Sequence, residues 1–203
     1  MRMLIFAAAA ALTLAVSAHA QAPGSVAPAD VQAGAYKIEP SHTRVLFAVS
    51  HFGFTTYYGE FVGASGALDL DPKNVGRSHL DVSVPVSGVS TPSDKLTGEL
   101  KSADWFDAAK FPTISFKSTG IVATGRDTAD VTGDLTMHGV TKPVTLKAKF
   151  NAAGVSTVDK AYTTGFEVSG QVKRTDFGVS KYAPYVGDDV HLIISVAFEH
   201  ARS

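Results

Sequence analysis

From Tyr36 to the C-terminus, apolar and polar residues alternate with a period of two, the mark of strands that hide one face. Leu80, Val82, Val84 and Val86 share one face of a run whose other face carries His79, Asp81 and Ser83. Val131, Gly133, Leu135 and Met137 alternate with Asp130, Thr132, Asp134 and Thr136. Val144, Leu146, Ala148 and Phe150 do the same, as do Phe166, Val168, Gly170 and Val172. A last run places Val190, Leu192, Ile194, Val196 and Phe198 together, and weaker versions pass through Val45–Val49, Tyr58–Leu70 and Thr113–Ile121. About eight strands separated by turn residues predict an all-β sandwich or barrel rather than a doubly wound fold.

Two stretches interrupt the alternation. Near residues 93–109 the spacing turns helical: Ser93 offers a cap, Leu96 and Leu100 lie four apart, and Ser102 can cap a second turn bearing Trp105 and Phe106. Pro112 ends that insert. Residues 136–143 read as a hairpin loop in which Gly139 is free to take positive φ.

With only short helices to cover it, a single-faced sheet must pack on a second sheet or close on itself, and closure removes exposed edges. Closure would give an eight-stranded barrel, with an interior wide enough for packed side chains or for one small ligand. The alternation by itself is compatible with either. The inward set is apolar, so a ligand held there would be apolar too. Candidate wall residues are Phe47 and Val49, Val82 and Val84, Ile114 and Phe116, Leu135, Leu146 and Phe150, Phe166 and Val168, and Leu192 and Ile194. Aromatic and polar residues of the insert and loops are candidates for a mouth or for headgroup contacts: His42, Phe54, Trp105, Phe106, Arg174 and Tyr182, with Phe52, Tyr57 and Phe177 beside them. Arg174 and Asp176 are close enough in sequence to pair or to cap the turn before Tyr182.

Composition narrows the compartment. Arg2, the apolar run Met3–Val16 and the small-x-small Ala18-His19-Ala20 form a secretory signal, with cleavage expected after Ala20. Residues 21–34 read as a flexible lead, and residues 35–203 as one domain. There is no cysteine, so export to an oxidising compartment leaves stability to packing and hydrogen bonds, and thiol catalysis and thiolate metal sites are excluded. A net charge of −1 offers no footprint for nucleic acid. No two histidines stand four apart and no His-Glu-x-x-His occurs, so no metal is expected. Gly-x-Ser-x-Gly and Gly-x-Gly-x-x-Gly are also missing.

Four blocks carry a family resemblance: residues 36–61 around Ser41-His42 and His51-Phe52-Gly53; residues 100–118 around Asp104-Trp105-Phe106; residues 133–144 around Met137-His138-Gly139; and Arg174-Thr-Asp-Phe-Gly178 with Val186-Gly187-Asp188. In this order they resemble the YceI family of exported bacterial proteins. The resemblance implies an extended, lipocalin-like antiparallel barrel with a long hydrophobic channel, a periplasmic location, and binding of a polyisoprenoid or isoprenoid quinone; inward faces almost devoid of titratable groups give no catalysis to expect. A membrane protein of the cytochrome b561 type is a further partner that it implies. The oligomeric state stays open, a homodimer included. Thr97 and Glu99 stand where many members carry Asp and His, which puts the role of those two positions in question.

Overall fold

The computed structural model describes residues 24–201, so the expected signal segment and cleavage site lie outside the described residues. Ten antiparallel strands form one sheet: β1 (Gly34–His51), β2 (Thr55–Phe61), β3 (Ser65–Leu70), β4 (His79–Pro85), β5 (Val89–Ser90), β6 (Thr113–Ala123), β7 (Thr128–Met137), β8 (Val140–Val155), β9 (Tyr162–Lys173) and β10 (Val186–His200). Eight of them close a ring, β1-β3-β4-β6-β7-β8-β9-β10, sealed by the pairing of β1 with β10. β1 is long enough to serve two neighbours on one edge. Its start, Gly34–Lys37, pairs with β3, and its end, Val45–His51, pairs with β2, which carries the short β5 outside the ring.

The polar face of each strand looks outward and is knitted by cross-strand pairs. Thr132 and Thr145 share a hydrogen bond of 2.9 Å, Thr136 and Thr141 one of 2.8 Å, and Lys117 meets Asp81 at 3.3 Å. These exposed pairs set register more than stability.

α1 (Asp94–Leu100) is the one α-helix among the described residues, and the Ser93 hydroxyl caps it by accepting from the Leu96 N–H. The second helical turn expected after Ser102 is a set of hydrogen-bonded turns instead, in which the Ser102 carbonyl accepts from both Trp105 and Asp107. Strand alternation in the His79–Val86 run stops at Pro85. Val86 enters a 3-10 turn and donates its N–H to Pro112 at 2.9 Å. The loop expected over residues 136–143 is far tighter, because β7 and β8 run on to the Met137–Val140 pair and leave a two-residue turn. Both turn residues take positive φ, 52° at His138 and 77° at Gly139, the geometry that matches strand twist. His138 is held there by its Nδ1 against the Phe177 carbonyl, 3.1 Å away.

The lead, too, departs from expectation from residue 24 onward. Ser25 bridges Ala153 through two backbone hydrogen bonds, Pro28–Asp30 form a 3-10 turn, and Val31 is buried against Phe150 and Ala153. An apolar side chain available next to an open barrel end is driven to cover it.

That end is also closed by Tyr36, which is inaccessible to solvent, donates its hydroxyl to the Gln32 carbonyl at 2.6 Å and lies edge-on to His200. Burial, aided by Tyr162, pushes the Tyr36 phenol up to about 12 from its ordinary 10.0. Because the folded value lies above the unfolded one, this contribution is complete below pH 10 and is lost as pH rises toward 12, by about 3 kcal/mol at most. Urea unfolding across that range should show the loss, and Tyr36→Phe should flatten the alkaline limb.

Candidate ligand-binding cavity

Inward side chains of the ring do not meet at its axis. Val45, Phe47, Val82, Leu135, Val144, Leu146, Val168, Leu192 and Ile194 point inward, yet each is only half-buried. A packed core would bury them almost completely. They surround a cavity of about 550 Å³ with an almost wholly apolar wall, in the size range of small-molecule sites.

Every wall candidate from the alternation lines this space except Phe150. Phe150 shares the inward parity of Leu146 and Ala148, but it lies where β8 bulges toward Ala152 and where Val31 packs over it. It closes the barrel end instead of facing the void. The same parity also supplies Leu80, Val131, Met137, Val144, Val172, Val190 and Val196. Leu96, Leu100 and Val179 complete the wall from helix and loop, where no strand period announces them.

The end near the β1–β2 turn is roofed by the insert and by residues 178–185. Trp105 is buried under this roof beside Leu100 and Val179. Its ring lies 6.0 Å from Tyr182 in a T-shaped arrangement and 5.8 Å from the Arg174 guanidinium. An ion pair of 2.6 Å between Lys181 and Asp104 ties the two roof segments together.

Arg174 is the polar centre of that end. It is buried, and its Nε donates to the Gly187 carbonyl, Nη1 to those of Val179 and Lys181, and Nη2 to that of Val186, all within 2.9 Å. It therefore clamps its own loop and does not pair with Asp176, which meets Lys142 at 3.3 Å. Burial draws the Arg174 pKa down and the charge of Asp188 acts against this; a guanidinium stays a cation under both influences. Guanidinium carries five N–H donors, so one remains beyond the four carbonyl bonds. The Trp105 Nε1 and the Thr164 hydroxyl are buried without a partner among the described residues.

Two other polar groups of the wall are engaged. The Thr43 hydroxyl donates to the Glu39 carbonyl, and Ser78 accepts from the Asp71 N–H. At the two positions put in question by the family pattern, Thr97 bonds Thr91 through its hydroxyl, while Glu99 reaches the cavity wall.

Among the mouth candidates, Trp105, Phe106, Arg174 and Tyr182 line the cavity, as do Phe52 and Tyr57. Three do not. His42 is exposed on the outside of the β1 bulge, its Nδ1 2.6 Å from Glu39, whose carboxylate also accepts the Ser41 and His42 N–H groups. Those three bonds hold Glu39 below its usual range against a burial effect that would raise it. Phe54 stands in solvent at the hairpin tip, and Phe177 is buried behind the wall.

Fold and cavity together define a closed antiparallel barrel that is hollow and apolar within. The chain belongs to the YceI-like domain family, which its residues 36–198 match. It is 37% identical over 175 residues to "Protein YceI" of Escherichia coli O6:H1, covering 85% of this chain and 88% of that protein. BcnA of Burkholderia cenocepacia shares the fold with a TM-score of 0.71 at 22% identity, over 79% of this chain and 98% of that one. A polyisoprenoid binding domain from Saccharophagus degradans is a more distant structural neighbour, with a TM-score of 0.62 at 14% identity over 84% of this chain and all of the neighbour.

Proposed function

We propose that this protein is an exported, periplasmic carrier that holds a long apolar lipid of the polyisoprenoid or isoprenoid-quinone class in its barrel. The observation that carries the reading is the half-buried inward wall: apolar side chains line a void that neither they nor water fill favourably. Hydrocarbon placed there gains about 25 cal/mol for each Å² withdrawn from water. The S. degradans neighbour, described as a polyisoprenoid binding domain, agrees in ligand class.

Arg174 and Trp105 bring hydrogen-bond donors to the roofed end, which orients such a ligand. The tail lies along the strands, and a headgroup bearing hydrogen-bond acceptors sits by Arg174 and Trp105. An almost wholly apolar wall, in which Thr43, Ser78 and Arg174 are spent on backbone partners, favours binding over turnover. Docking on a cytochrome b561-type membrane protein remains compatible with this role but does not require a hollow interior.

Native mass spectrometry of the mature protein purified from its host, followed by organic extraction, tests the proposal. The expected result is a stoichiometric isoprenoid adduct. A bare protein mass that isoprenoid alcohols and quinones leave unchanged would overturn it.

A further inference from the structure

Two uncharged stretches, residues 52–59 and 182–187, meet at the roofed end of the barrel. The Phe52 N–H donates to the Tyr185 carbonyl at 2.8 Å, and the two rings stack 5.9 Å apart. Around this junction Phe52, Phe54, Tyr182 and Tyr185 are 48%, 87%, 55% and 68% exposed. Phe52 and Tyr182 hold φ values of 54° and 58°, a region that costs an ordinary side chain energy, and they spend it presenting rings to solvent. Both also line the cavity, so the exposed aromatic lip and the apolar interior are one continuous surface.

We infer that this lip docks on a lipid bilayer surface and passes the ligand directly between membrane and barrel, an inference that rests on the carrier reading. The occupant follows from the continuity. A chain too apolar to cross water must reach the cavity from a hydrocarbon phase, and the lip is where the interior wall emerges. Phe and Tyr in stretches that carry no charge of their own suit the headgroup–acyl boundary, where aromatic rings settle, and the nearest cation, Lys181 beside the Tyr182 ring, is already paired with Asp104. Docking of this kind depends on apolar burial and not on anionic lipid, unlike a polybasic anchor.

Flotation with phosphatidylcholine vesicles, with and without phosphatidylglycerol and at low and high salt, tests the inference. The protein should float equally in all four conditions. Phe54→Ser with Tyr185→Ser, two rings outside the cavity wall, should reduce vesicle partitioning at least about tenfold while leaving the affinity for detergent-carried geranylgeraniol unchanged. As a check that needs no loss of binding, Phe54→Trp should gain blue-shifted fluorescence that brominated lipid quenches. A protein that stays unbound, floats only with anionic lipid at low salt, or floats undiminished after the double substitution would overturn the inference. Flotation without binding of either geranylgeraniol or an isoprenoid quinone would overturn the carrier reading and ligand transfer with it, while flotation still decides the docking of the lip.

Discussion

Replacing Ala148 with phenylalanine is expected to weaken lipid binding about a hundredfold while leaving the barrel at least as stable as the parent. Ala148 lies on β8 opposite Val168 of β9, and both face the cavity midway along the barrel. A phenyl ring added there has a void to enter, so it should bury apolar surface without the clash that overpacking a dense core produces. A threaded lipid would lose the same space. Denying it roughly 100 Å² of contact at about 25 cal/mol per Å² costs about 2.5 kcal/mol, near a hundredfold in Kd. Geranylgeraniol titration and a thermal melt on the same sample separate the two effects. Wild-type affinity in this variant would show that the ligand does not pass mid-barrel. A lower melting temperature would show that the void is smaller than the structure indicates.

Arg174→Met is expected to be the most destabilising single substitution in the roof, by about 3–5 kcal/mol. Methionine replaces the aliphatic stem but none of the donors, and four carbonyls, of Val179, Lys181, Val186 and Gly187, lose their partner together. Val179, 1% exposed, has no water to turn to. Arg174→Lys should recover less than half of the loss, because an ammonium is a point donor and cannot reach along a loop as a planar fork does. Urea denaturation measures the stability. The fluorescence of Trp105, the chain's single tryptophan, reports the loop, since Tyr182 rests on its ring only while residues 178–185 stay clamped. A methionine variant as stable as the parent would mean that the Lys181–Asp104 pair and the strand ends hold the roof unaided.

Much of the wall could be read in advance because a strand's side-chain period is two, independent of what the strand packs against. Once β6 to β10 alternate, parity assigns Ile114, Leu135, Leu146, Val168 and Leu192 to the inside. Parity says nothing about height along the barrel. Hence Phe150, correct in face, lies at the plugged end. Arg174 was legible as a polar residue near the mouth, yet its partners are backbone carbonyls, which every residue has and which no pattern of side chains singles out. His42 fell within a recognisable block, yet the count back from Val49, Phe47 and Val45 to the inward Thr43 turns it outward, and only a count forward from Ile38 across the bulge between Glu39 and Arg44 would place it inside.

Local spacing and composition set the class of fold, the inward face of most strands and the apolar chemistry of the interior, all of which could be read from the chain alone. Whether the barrel is hollow was decided only in three dimensions. Ring closure of eight strands sets a circumference, and the space left at the axis depends on how far opposite side chains reach, a relation between residues distant in the chain. Tertiary structure likewise decided that residues 24–33 pack against one end and that two uncharged loops meet at the other, because both are contacts across the sequence with no period to announce them.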